Sequence, residues 1–198
     1  MGSLLRGASR VRWGELRDAT GAGAAGIPPL LSRIAYGDED TARVAIGDLG
    51  DVICALGFVV GEATAPTVPF LLELAGSPQV ACKAEVLDLL GSICRTSQWH
   101  SAAAAQDSKH DANYQRQTDW EAAARTAVYA GRSVIEGVAS SVRPEEATPA
   151  RKLLQVMDDT PQFRAGAVAV AVWAGRNRGA ATGRASLPSA PCTLNPPC

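Results

Sequence analysis

The periodicity of apolar residues in 44–77 is the feature that most constrains the fold. Across residues 44–60 the apolar residues recur at three- and four-residue steps, which lines one face of an α-helix. That face contains Ala45, Leu49, Val52, Ile53, Leu56 and Val60. A second apolar stripe follows at residues 70–74 after a short corner. Two amphipathic helices joined so closely pack nearly antiparallel and need neighbours to bury both stripes, so the pattern predicts a stack of helices.

The corner carries signals for a helix end and a helix start. Gly61 is a suitable stop for the first helix. Thr64 and Thr67 are both candidate caps of the second, and Pro69 is tolerated in its first turn because the missing N–H would be unbonded there. We therefore expect one helix to end at Gly61 and another to begin within the next few residues.

Short segments recur along the chain. Residues 27–31 (IPPLL) are echoed 41 residues later by residues 68–72 (VPFLL), and residues 77–80 (SPQV) are echoed by residues 160–163 (TPQF). A period near 41 lies within the roughly 40–47 residues of two- and three-helix solenoid repeats. The recurrence favours a repeat architecture.

These segments resemble the HEAT-repeat proteins common in actinobacteria. The resemblance rests on residues 13–16 (WGEL), 36–37 (YG), 48–61, 62–66 (EATAP) and 68–71 (VPFL), and residues 150–175 resemble a later repeat. It implies a short right-handed α-solenoid of HEAT-like helical hairpins. The recurring segments and the persistent helical periodicity predict an all-α fold without β-sheet. The resemblance brings no catalytic residues. At residues 54–57 (CALG) the chain departs from the family, which often has a His-Gln pair there.

The rest of the chain divides by composition. We expect a flexible N-terminus at residues 1–9, the repeat domain at 10–177 and a disordered Gly/Ser/Pro tail at 178–198. Residues 80–95 are amphipathic, with Lys83, Glu85 and Asp88 predicted to point outward. Residues 96–118 are polar and lack a period, which predicts a loop insertion. Further helices are expected at 119–142, capped by Asp119, and at 145–157 and 163–173.

Composition and motifs argue against several functional classes. A formal net charge of −1 is unlike a surface built to bind phosphate. The Gly-rich segment 20–26 (TGAGAAG) lacks the Lys-Ser/Thr of a nucleotide loop, and no nucleophile–base pair stands out, so we predict neither enzyme activity nor a cofactor. His100, His110, Asp107 and Asp111 are the one conceivable metal set, but a solvated loop is the simpler interpretation. No stretch has the length of a membrane span or a signal peptide, which predicts a cytoplasmic protein without membrane association.

The remaining interpretation is a scaffold or adaptor that binds a protein. Solenoids align their second helices along a concave surface. Here that surface would contain Asp48, Asp51, Glu85 and Asp88, so a basic partner would fit, as for an immunity or regulatory protein. The alternative is a nucleic-acid-binding protein resembling the HEAT-like alkylpurine DNA glycosylases, which needs rows of Arg and Lys. A third is modification of the cysteine-containing tail at Cys192 and Cys198.

The predicted last helix is apolar nearly all round. Val168, Val170, Val172 and Trp173 leave it without the polar face that the end of a stack requires. We therefore expect these side chains to be covered by a protein partner or by a second copy of the chain.

Overall fold

Residues 4–105 and 111–159 are described by a computed structural model of the protein, with side chains from residue 114 onward in the second range. Helices dominate these residues, so the prediction of a helical protein is confirmed. The helices are α1 (Ile27–Tyr36), α2 (Glu39–Ile53), α3 (Thr64–Gly76), α4 (Lys83–Arg95), α5 (Gln98–Ala105), α6 (Asp111–Ala130), α7 (Arg132–Ala139) and α8 (Pro144–Asp159). Short 3-10 turns at Ala8–Arg10, Trp13–Glu15 and Ala24–Gly26 precede α1.

The helices pack in pairs that follow the chain. α1 lies against α2, α3 against α4, and α7 against α8. The first helices touch in the order α1, α3, α7, and the second helices touch in the order α2, α4, α8. α6 runs along α3, and α5 packs on α6. One contiguous core joins all three pairs, and its largest fully buried side chains are Ile27, Leu31, Ile34, Leu49, Ile53, Leu71, Leu74, Leu87, Leu90, Ile93, Ile135 and Leu153.

The echoed segments occupy these pairs only in part. Residues 27–31 and 68–72 both lie in first helices, α1 and α3. Residues 160–163, the second member of the other echoed pair, are outside the described residues. Leu153 and Leu154 shortly before them lie in α8, which is a second helix. The 41-residue echo therefore relates the first helices of two pairs.

The predicted helix at 44–60 is wrong in its last turns. α2 ends at Ile53, and a two-stranded antiparallel hairpin follows, β1 (Cys54–Ala55) and β2 (Val59–Val60). The expectation of no β-sheet is therefore also wrong. The tip turns because Leu56 and Gly57 have φ of 56° and 78°, and the amide of Gly57 donates to the carbonyl of Cys54 over 2.8 Å. β-Branched valines favour the extended backbone that follows the turn.

The start of α3 also differs from the expected capping. Ala63 is its N-cap, and neither threonine caps the helix with its side chain. Thr64 instead ties the hairpin to the helix, because its hydroxyl donates to the carbonyl of Ile53 over 2.6 Å and accepts from the amide of Gly61 over 3.0 Å. Pro69 lies inside α3 rather than in its first turn.

Residues 96–118 are largely helical rather than a loop, so the predicted insertion is wrong. α5 covers Gln98–Ala105, and α6 begins at Asp111. Asp119 lies within α6 rather than at its N-cap. α5 has no buried residue, so it carries no apolar stripe from which a helix could be predicted.

The predicted helix at 119–142 is broken at Gly131, between α6 and α7. A Cβ at this position would lie 2.2 Å from Cδ1 of Leu72 in α3, so only glycine permits so close an approach. The helix predicted at 145–157 is confirmed as α8. At the N-terminus, Leu5 is 9% exposed and Ala8 is buried, so residues 4–9 are packed where a flexible segment was expected.

Candidate functional site

The four predicted surface carboxylates lie on neighbouring second helices. Asp48 and Asp51 belong to α2, and Glu85 and Asp88 belong to α4, which contacts α2. All four side chains reach the surface. We call the surface formed by α2, α4 and α8 the second-helix row.

Basic side chains accompany three of these four acids. Arg33 of α1 pairs with Asp48 at 3.4 Å, Arg43 of α2 pairs with Glu85 at 3.4 Å, and Lys152 of α8 pairs with Asp88 at 3.6 Å. The carboxylates of Glu39 and Glu85 raise the pKa of Arg43 by hydrogen bonding to its guanidinium. The row is therefore a surface of mixed charge rather than an acidic one.

Asp51 differs from the other three acids. It forms no ion pair with a described residue, although it is exposed in the last turn of α2. The Arg43–Glu85 pair bridges α2 and α4, and the Lys152–Asp88 pair bridges α4 and α8. These contacts link the three second helices across their exposed faces.

A more enclosed ion pair lies where α4 and α8 begin. Lys83, predicted to point outward, is 8% exposed and donates to Oε1 of Glu146 over 3.0 Å. The hydrogen bond from Lys83 is the largest influence that lowers the pKa of Glu146. The hydroxyl of Ser141 donates to Oε2 of Glu146 over 3.2 Å. A lysine pulled inward in this way needs a carboxylate on another helix, which a local pattern does not reveal.

An open cleft of about 450 Å³ adjoins this ion pair. It is lined mainly by small residues, among them Gly76 at the end of α3, Ser133 and Gly137 of α7, and Ser141 after α7. The two charged residues at its wall, Lys83 and Glu146, satisfy each other. The cleft thus offers shape but no unpaired charge to bind or activate a substrate.

A buried carboxylate holds α5 in place. Glu121 of α6 is fully buried and accepts hydrogen bonds from the amides of Trp99 (2.8 Å) and His100 (3.0 Å). Its Oε2 also lies 2.6 Å from Nδ1 of the His100 ring. Arg125, one turn later, donates to the carbonyl of Thr96, and burial lowers its pKa. Both carboxylate oxygens therefore accept hydrogen bonds from backbone amides in the first turn of α5, as the side chain of an N-cap residue does.

The conceivable metal set is only partly described. His100 is engaged with Glu121, whereas Asp107, His110 and the side chain of Asp111 lie outside the described residues. Elsewhere in 4–105 and 114–159, no three His, Cys, Asp or Glu side chains come together in a way that could hold a metal ion. Cys54, Cys82 and Cys94 are buried thiols, and burial raises the pKa of Cys54 to about 11, which disfavours the reactive thiolate.

The hairpin between α2 and α3 exposes apolar side chains that the sequence interpretation placed in a helix. Leu56 is 81% exposed and Phe58 is 45% exposed. We call these two residues the hairpin tip. A glycine in an otherwise helical pattern, followed by Phe58-Val59-Val60, was the available signal for a turn and a short strand.

Two other predictions concern residues that the structure does not describe. Val168, Val170, Val172 and Trp173 lie outside the described residues, as does the tail with Cys192 and Cys198.

Within the described helices, none is both long and apolar enough to cross a membrane.

No protein-family model, curated protein or solved structure significantly matches the chain.

Proposed function

We propose that the protein is a binding module for another protein, built as a short α-solenoid of HEAT-like helical hairpins, with the second-helix row as its binding surface. The observation that carries the proposal is that two exposed ion pairs, Arg43–Glu85 and Lys152–Asp88, connect the three helices of the row. They bring side chains of three helices, distant in sequence, onto one continuous polar surface. Repeat proteins use such aligned helices to hold extended partners.

The ion pairs of the row can be exchanged for contacts with a partner at little cost in stability. Ion pairs exposed to water contribute little to the free energy of unfolding because water screens them. A partner can therefore replace Glu85 or Asp88 as the counterion of Arg43 or Lys152 at small cost to the fold. Complementary charges at the rim of an interface speed association and select the partner.

Asp51 indicates which charge the partner should place next to it. Its carboxylate has no described counterion, so a basic side chain of the partner is favoured beside it. The partner expected here is a protein with charges of both signs and a basic group opposite Asp51. An immunity or regulatory protein that recognises a basic partner would use the surface in this way.

The full-length chain with Asp51→Lys and Asp88→Lys tests the proposal. Proteins captured from the source cell are identified, purified and titrated against the wild type and this variant. We expect the variant to bind a genuine partner at least about tenfold more weakly, because two charges are reversed within the interface. Glu15→Lys/Glu136→Lys is the control, since it also reverses two exposed carboxylates but lies off the row.

Two outcomes would contradict the proposal. One is equal weakening by the row variant and by the control, which would mean that overall charge alone matters. The other is tight, salt-dependent binding of DNA without any protein partner, which would favour the nucleic-acid alternative.

A further inference from the structure

We draw no further inference here: the strongest candidate, the open cleft of about 450 Å³ beside the ion pair of Lys83 and Glu146 where α4 and α8 begin, has no unpaired charged side chain among its described lining residues, and nothing in the structure shows what fills it.

Discussion

Leu5 and Leu56 share an uncommon backbone conformation but have opposite surroundings. Their φ values are 64° and 56°, and no other non-glycine residue of the described chain has a positive φ. Leu5 is 9% exposed and packs in the core, and its amide donates to both carboxylate oxygens of Glu73 over 3.2 and 3.3 Å. Leu56 is 81% exposed at the end of a hairpin.

The difference shows what a strained backbone can signify. At Leu5 the burial of the side chain offsets the strain, so the conformation needs no further explanation. At Leu56 the described chain supplies no such burial, so no buried contact offsets the free-energy cost of the strained backbone. The same local outlier is thus compensated by burial of the side chain in one region and not in the other.

Truncation of the two leucines should separate the regions most clearly. Leu5→Ala keeps the Cβ and therefore the strain, but loses buried apolar atoms, so we expect the free energy of unfolding to fall by about 2–3 kcal/mol. Leu56→Ala should change it by less than about 0.5 kcal/mol because little burial is lost. Chemical denaturation of the full-length variants measures both values, and similar losses at the two positions would break the comparison.

Glycine at the same positions isolates the strain. Relative to the corresponding alanine variant, Leu5→Gly and Leu56→Gly should each be more stable by about 1 kcal/mol, because glycine adopts positive φ without steric cost. For Leu56→Gly this is also a gain over wild type. Denaturation curves of the four variants provide the test. If glycine fails to stabilise position 56, the strain assigned to Leu56 is not real.

Removing Glu73 should sharpen the account of Leu5 alone. In Glu73→Ala the amide of Leu5 loses its carboxylate acceptor, and we expect the free energy of unfolding to fall by about 0.5–1 kcal/mol, since the contact is partly exposed and water can replace it. The loss should be smaller in a Leu5→Ala background, where the segment is already loosened. A full, additive loss in that double variant would mean that the two contacts are independent.

The smallest effect is expected at an exposed apolar residue without strain. Val142→Ala should alter the free energy of unfolding by less than about 0.5 kcal/mol, because Val142 is 97% exposed and has no positive φ. Thermal and chemical denaturation check it. A larger loss would show that high exposure in the isolated chain does not identify side chains free of intramolecular contact, and would weaken the argument for Leu56.

Helices that bury one face were predictable from the sequence. Residues 80–95 were predicted to be amphipathic, and α4 buries Leu87 and Leu90 fully. α8 lies where its pattern placed it. The body of α2 was also recognised, with Leu49 and Ile53 inside. Periodicity succeeds in these segments because each helix turns one side to a common core, and the spacing of apolar residues records that side.

The sequence predicted the acidic residues of the candidate site but not the basic residues that pair with them. The sequence indicated that Asp48, Asp51, Glu85 and Asp88 are surface residues of neighbouring helices, but not that Arg33, Arg43 and Lys152 accompany three of them. Charge pairs such as Arg43–Glu85 join residues 42 positions apart, and no local spacing encodes them. The hairpin tip was missed because Leu56 continues the helical period of α2 by coincidence.

By itself, the sequence determined which segments turn an apolar face inward, and hence that the described chain is a stack of amphipathic helices. The tertiary structure alone decided where helices without such a face form, where α2 stops and which charges are enclosed. α5 depends on Glu121, the hairpin on the bonds of Thr64, and the inward turn of Lys83 on Glu146. Glu121 and Glu146 are distant in sequence from the groups that they bind, and they meet those groups only once the helices have packed.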